Sequence, residues 1–200
     1  MTLYAESNLV LEIALGQEEL VPAERLLAAA EAGAIDLALP SFSLSEPMIR
    51  VSRSMRDRRR LMSQLNTEVG QLARSTPHQA EVSTLQAIPD LITRINRRER
   101  DRLTSTIERI LAAAKLIELD AASFQAAMGY RTQYALDMED AVILAVVVAD
   151  LKSSPGVGQH LFANRNRKDF DDPGITSDLK RLGCDVVWSF TEAATRLDIR

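Results

Sequence analysis

The sequence predicts an α/β fold: a three-layer α/β/α domain with a mostly parallel central sheet. Strand-like apolar runs at Leu3–Ala5 and Ile35–Leu39 are each followed by helical segments, and the same alternation returns over residues 116–197. Strands that alternate with helices favour parallel pairing, because each connection crosses over the sheet. The chain has 200 residues, of which 46% are hydrophobic. A chain of this size can form one domain with a sizeable core.

The first elements have recognisable ends. The helix after the first strand is predicted to end at Gly16, since glycine readily adopts the left-handed conformation found after helices. A second helix is predicted over Val21–Ala32, with Gly33 just after it. Pro40 stops the second strand, because proline cannot donate a hydrogen bond to a neighbouring strand.

The middle of the chain is predicted to be a helical insertion. Between about residues 47 and 115 the pattern is almost wholly helical, with a break near Arg74–His78. The second of the two helices carries an apolar stripe, which needs a partner surface. We therefore predict an antiparallel hairpin within a single domain of residues 1–200, and a homodimer. The stripe comprises Leu91, Ile92, Ile95, Leu103, Ile107, Ile110 and Leu111.

Strand–helix alternation is predicted to resume after the hairpin. The helix Asp137–Asp150 is apolar nearly all round, so we expect it to be buried on several sides. The other predicted elements are Leu116–Leu119 as a short strand or a helix end, a helix Ala121–Met128 ending at Gly129, the strand His160–Ala163, a helix Thr176–Leu182 followed by Gly183, the strand Asp185–Trp188 and a final helix Phe190–Leu197.

Charge is distributed unevenly along the chain. The net charge of −4 argues against a generally basic nucleic-acid binder, and the first 46 residues contain one arginine and no lysine. Arginines crowd two stretches of the hairpin, residues 53–60 and 94–102. Such a local basic surface suits nucleic acid, and we predict Arg58, Arg59 and Arg60 as phosphate-contacting residues. The alternative is two solvated helix faces with interleaved acids.

Several functional classes lack support in the sequence. The N-terminus has no secretory pattern, and the longest apolar run, Ala141–Ala149, is shorter than the roughly 20 residues that span a bilayer. We therefore expect a cytoplasmic protein without membrane contact. Cys184 is the single cysteine, which excludes a disulfide within the chain. His78 and His160 are not near a recognisable nucleophile, and we expect both in surface or loop positions.

Four acidic residues carry the strongest functional signal: Glu6, Glu46, Asp140 and Asp169. Each lies where a strand-like run ends or where a helix begins. In open α/β sheets, ligands bind beyond the carboxyl ends of the strands, so all four could lie on one edge of the sheet. Carboxylates resist such gathering unless a cation offsets their repulsion. A shared site would therefore indicate Mg²⁺ or Mn²⁺, which prefer oxygen ligands.

Each acid also has a structural interpretation. Ser43 and Glu46 fit the S-x-x-E capping box, in which the acid closes a helix N-terminus. Asp137 and Asp140 fit the cap and third position of the next helix. Asp169 could be an exposed loop charge. Glu6 is the hardest to explain in this way, because an acid at a strand end needs a partner or solvent.

Three segments together resemble a known family. Tyr4–Leu11 (YAESNLVL) is similar to the opening strand and turn of PIN domains, Asp140–Ala145 (DAVILA) to their third acidic motif, and Phe162–Phe170 (FANRNRKDF) to their late strand-end motif. Glu46, six residues after Pro40, matches the second acid. The resemblance covers about residues 1–50 and 116–190. The long helical middle is additional, and the family's first acid is normally Asp rather than Glu.

The resemblance implies a metal-dependent ribonuclease directed at single-stranded RNA, as in many bacterial toxin–antitoxin pairs. It implies that the four acids hold one or two Mg²⁺ or Mn²⁺ ions and that an antitoxin-like protein could be a partner. Asn8 and Asn166 would orient the acids, and Asp137 and Glu139 are further candidate ligands. The alternative is a PIN-like protein without catalysis that binds RNA or a protein partner. The extra methylene of Glu6 favours this alternative, or a larger cation such as Mn²⁺.

Overall fold

A computed structural model describes residues 1–78, 82, 85, 87–153 and 159–199. In these parts of the chain, five strands form one sheet, and every strand pair is parallel. The predicted α/β class is thus confirmed. The strands are β1 (Thr2–Tyr4), β2 (Asp36–Pro40), β3 (Lys115–Ile117), β4 (His160–Ala163) and β5 (Cys184–Val187).

The strand order places a natural binding crevice beside β1. The order is β3-β2-β1-β4-β5, so the chain first builds outward from β1 through β2 to β3 and then returns to place β4 on the other side of β1. Leu3 pairs with Leu37 of β2 and with Leu161 of β4. Connections leave β1 and β4 in opposite directions, which opens a crevice at the carboxyl ends of these two strands.

Helices connect the strands as the alternation predicts. The described helices are α1 (Ser7–Leu15), α2 (Leu20–Glu31), α3 (Ser45–Leu72), α4 (Ile88–Ala113), α5 (Ala121–Tyr134), α6 (Met138–Ser153), α7 (Arg167–Phe170), α8 (Pro173–Arg181) and α9 (Phe190–Arg196), with short 3₁₀ turns at Ser41–Leu44 and Thr76–His78. None of these helices combines the length and the apolar character needed to span a membrane.

The predictions for Gly129 and His160 are wrong. Helix α5 continues through Gly129 to Tyr134 and ends at Ala135, which has a positive φ of 54°. A glycine inside a helix costs only about 1 kcal/mol relative to alanine, which the surrounding turns can offset. His160 is not a surface residue: it begins β4, and its side chain is buried.

Helices pack on both faces of the sheet. Leu3, Leu37 and Leu161 point to a core shared with α1, α2, α4 and α9. Their strand neighbours Tyr4 and Phe162 point to a second core formed with α5, α6 and α8. Side chains alternate between the faces of a strand, so these two cores lie on opposite sides of the sheet. The arrangement is compatible with three α/β/α layers.

The predicted hairpin consists of α3 and α4, which run antiparallel. Helix α3 has 28 residues, which corresponds to a length of about 42 Å. Its buried residues, Pro47 and Val51, lie near its first turns. Helix α4 packs against α1 mainly through its second half, where Leu103 and Ile110 are buried. Most of α3 therefore extends away from the two cores.

Candidate functional site

A cavity of about 370 Å³ contains most of the predicted site. It lies where β1 and β4 end, at the crevice that the strand order predicts. Three of the four predicted acids and all four predicted supporting residues contribute to its lining. The lining residues are Glu6, Ser7, Asn8, Glu46, Asp137, Glu139, Asp140, Ile143, Arg165 and Asn166.

Glu6 is held by the first turn of α1. It is the N-cap of that helix and is only 4% exposed. Its carboxylate accepts hydrogen bonds from the Ser7 hydroxyl (2.6 Å), the Asn8 backbone N–H (3.2 Å) and the Asn8 side-chain amide. Burial raises the pKa of Glu6, the nearby charge of Glu46 raises it further, and the three hydrogen bonds oppose both effects. Asn8 thus orients the first acid.

Asp140 faces Glu6 from the first turn of α6. Asp137 caps this helix by accepting the backbone N–H of Asp140 at 3.0 Å, as the capping interpretation predicts. The side chain of Asn166 donates to Asp140 Oδ2 at 3.0 Å. Burial, followed by the charges of Asp137, Asp169 and Glu6, raises the pKa of Asp140 to about 7, against the smaller effect of the Asn166 hydrogen bond. The Asp140 carboxyl group therefore keeps its proton to a higher pH than an exposed aspartate does.

Glu46 is not part of a capping box. The Ser43 hydroxyl donates to the Pro40 carbonyl at 2.7 Å, and α3 begins without a side-chain cap in the described structure. Glu46 lines the cavity instead, and its charge contributes to the raised pKa values of both Glu6 and Glu139. The acid from the second strand end therefore faces the same space as the acid from the first.

Asp169 lies outside the lining of the cavity. It belongs to the short helix α7, and its charge still raises the pKa of Asp140. The preceding loop is held by Asn164, a buried residue whose side-chain oxygen accepts the Asn166 backbone N–H at 2.7 Å. This bond brings the Asn166 amide within reach of Asp140.

Arg165 is a site residue that the sequence analysis missed. Its guanidinium lines the cavity and forms an ion pair with Glu12, which is 1% exposed. Glu12 also accepts the backbone N–H of Glu19 at 2.8 Å, and Glu19 in turn accepts the N–H of Phe190 at 2.8 Å. The ion pair therefore connects the loop after β4 to α1, and Glu19 connects the N-terminus of α9 to the same hydrogen-bond network. An acid such as Glu12 within an apolar helix indicates that a cation must lie nearby.

The three arginines predicted to contact phosphate differ in their surroundings. Arg58 is directed at α4, where it forms a bidentate pair with Glu99 (Nη2–Oε1, 2.9 Å) and a 3.0 Å hydrogen bond with Asn96. Arg59 and Arg60 are exposed. The pair with Glu99 holds the two helices of the hairpin together and leaves Arg58 less able to reach a ligand than its neighbours.

The donor set around the cavity suits a hard divalent cation. Carboxylate and amide oxygens are the ligands of Mg²⁺ and Mn²⁺. Burial, followed by the charges of Asp137, Asp169 and Glu6, raises the pKa of Asp140. Over the part of the chain that the structure describes, no group of three or more His, Cys, Asp or Glu side chains is arranged so that it could hold a metal ion. A cation held by three or more of these side chains would therefore require them to rearrange.

Comparisons of the chain with protein-family models, with curated proteins and with solved structures find no match. The residue motifs and the geometry of the cavity are therefore the grounds on which a function can be proposed.

Proposed function

We propose that the chain is a PIN-like, metal-dependent endoribonuclease. One observation carries this proposal: acids from three distant segments meet at one cavity, at the crevice beside β1. Gathering these acids costs electrostatic free energy. After burial and the charges of Asp137 and Asp169, the charge of Glu6 raises the pKa of Asp140, and the charge of Glu46 raises that of Glu6. A protein that binds a cation there recovers this cost on binding. The PIN resemblance supplies the reaction, hydrolysis of RNA phosphodiester bonds.

The chain's residues have separate roles in this proposal. Glu6, Glu46, Asp140 and Asp169 would hold Mg²⁺ or Mn²⁺, which when bound lowers the pKa of a water molecule and stabilises the leaving oxygen. Asn166 holds the Asp140 carboxylate in place through a 3.0 Å hydrogen bond. Asp137 and Glu139 add negative charge at the cavity rim. The PIN resemblance further suggests an antitoxin-like partner. The members of the α4 stripe that stay exposed, Leu91 and Leu111, suggest a homodimer.

Asp140→Asn is the variant that tests the reaction. We expect it to lower the rate of RNA cleavage in Mn²⁺ or Mg²⁺ by more than about 100-fold, since even indirect partners of metal ligands cost 10–100-fold. Asparagine is nearly isosteric with aspartate, so the circular dichroism spectrum of the variant should match that of the wild type. Asp171→Asn, a change in an exposed acid outside the cavity, is the matched control. Unchanged cleavage by Asp140→Asn, or wild-type cleavage in excess chelator, contradicts the proposal.

A second candidate is a PIN-like protein that binds RNA or a protein without hydrolysing RNA. The hydrogen bonds of Glu6 favour it, because both carboxylate oxygens are already engaged by Ser7 and Asn8. On this hypothesis the wild type binds single-stranded RNA and does not cleave it in either metal.

Glu6→Asp separates the two candidates. If the longer side chain is what prevents metal binding, the variant gains metal-dependent cleavage that the wild type lacks. If the wild type is already an Mn²⁺-dependent nuclease, we expect Glu6→Asp to raise the ratio of Mg²⁺-supported to Mn²⁺-supported activity, because Mg²⁺ tolerates displaced ligands poorly. Cleavage rates across a titration of each metal decide between these outcomes. If the cleavage rates of the wild type and Glu6→Asp depend on each metal in the same way, the length of the Glu6 side chain has no role in metal choice.

A further inference from the structure

We infer that one face of α3 binds the phosphates of a single-stranded RNA and leads the strand to the acidic cavity. This face, here called the arginine column, consists of Arg50, Arg53 and Arg60. The inference rests on the proposed function, because it specifies how the substrate of that site is held. Of the three arginines predicted from the sequence (Arg58, Arg59 and Arg60), Arg60 belongs to this face.

The hairpin holds the positive charge of an otherwise acidic chain. Residues 45–113 contain 13 arginines, no lysine and 8 acidic residues, whereas the rest of the chain contains 11 basic and 20 acidic residues. A polyanion is therefore repelled by most of the protein and attracted to the hairpin. Arginine also pairs with phosphate through two parallel hydrogen bonds, a geometry that lysine lacks.

The arginine column starts beside the cavity. Glu46, in the first turn of α3, faces the cavity. Arg50 and Arg53 follow four and seven residues later, which places them on the same face of the helix. Arg60 returns to that face 14 residues after Glu46. At 1.5 Å per residue the three arginines lie about 6, 10 and 21 Å along the helix axis from Glu46.

The other arginines of this stretch have different surroundings. Arg56 lines an apolar groove with Met48 and Leu103. Arg58 faces α4, where Glu99 and Asn96 hold it. Arg59 faces a groove between α3 and α4 on the side of Met55 and Met62, roughly opposite the column. The three column residues are exposed. Asp57 shares their face between Arg53 and Arg60, so we expect two contacts near the cavity and a separate contact at Arg60.

The test measures binding without cleavage. In an Asp140→Asn background, the affinity for an oligouridylate of about 15 nucleotides, a length that covers common single-strand sites, is measured at several salt concentrations. For Arg50→Gln/Arg53→Gln/Arg60→Gln we expect weaker binding and a salt slope smaller by about 2, since each phosphate contact on a single strand contributes roughly 0.7. Arg94→Gln/Arg97→Gln/Arg98→Gln removes the same charge from exposed positions of α4 and should keep the slope.

Several results would overturn the column. An unchanged salt slope of RNA binding in Arg50→Gln/Arg53→Gln/Arg60→Gln contradicts the assignment to this face of α3. An equal loss of RNA affinity in the α3 and α4 triple variants contradicts it too. RNA binding that is unchanged while binding of an acidic peptide is lost assigns the face to a protein partner instead. These outcomes do not depend on hydrolysis, because the Asp140→Asn background is used throughout. Loss of the proposed nuclease activity is judged separately, from the wild-type protein in Mn²⁺.

Discussion

Replacing Arg165 with methionine is expected to lower the free energy of unfolding by about 3–5 kcal/mol, the usual cost of removing one partner of a buried ion pair. Methionine keeps most of the side-chain volume and removes the guanidinium. Glu12, which is 1% exposed, would then keep its carboxylate in the protein interior without the guanidinium, while it still accepts the Glu19 N–H. Urea unfolding at pH 7, followed by circular dichroism, measures the change.

Two further variants show whether the buried pair is the cause. Arg181→Met removes an arginine that is 75% exposed and paired with Asp178, and we expect it to cost less than about 1 kcal/mol. The double variant Glu12→Gln/Arg165→Met should recover most of the stability lost in Arg165→Met, because glutamine removes the unpaired charge and still accepts the Glu19 N–H. Similar losses for Arg165→Met and Arg181→Met contradict this account.

The parts of the fold that the sequence predicts well depend on local patterns. The strand His160–Ala163 has the predicted bounds, and β1 and β2 lie within one residue of theirs. Apolar runs that end at a turn residue determine these elements, and neighbouring residues carry enough information to recognise them. The presence of Glu6, Glu46 and Asp140 at one cavity could also be foreseen, because strands that run parallel bring their carboxyl ends to one edge, whereas Asp169 is not part of the cavity lining.

The parts that the sequence does not predict depend on contacts between distant segments. Arg165 and Glu12 are 153 positions apart in the sequence, and nothing near either residue identifies its partner. The same holds for Arg58 and Glu99, which meet because two long helices pack with a particular register. The capping box at Ser43 is absent for a local reason instead: a 3₁₀ turn precedes α3, and the Ser43 hydroxyl in this turn donates to the Pro40 carbonyl.

The contribution of Asp140 to the stability of the metal-free protein is expected to fall as the pH rises from about 4 to about 7, the interval between its unfolded and folded pKa values. In this interval the folded protein keeps a proton on Asp140 that the unfolded chain releases, so raising the pH favours unfolding. The raised pKa values of Glu6 and Glu139 act in the same direction. His160 has the opposite effect on stability. Burial lowers its pKa, so the unfolded chain takes up a proton that the folded protein does not, and stability falls as the pH falls below about 6.5.

Comparison of the wild type with Asp140→Asn isolates this effect, because His160 is present in both proteins. We expect the variant to be the more stable protein at pH 8 without metal, by about 1–3 kcal/mol, since each unit of pKa elevation corresponds to about 1.4 kcal/mol before solvent screening. Mn²⁺ at 100 times its dissociation constant should stabilise the wild type at pH 8 by about 2.7 kcal/mol. It should stabilise Asp140→Asn much less, because a negative charge that attracts the cation is gone.

Thermal unfolding at pH 5, 6, 7 and 8, with Mn²⁺ or with chelator, measures both the effect of pH and the effect of the cation. An equal response of the two proteins to Mn²⁺ would show that the cation binds outside the acidic cavity.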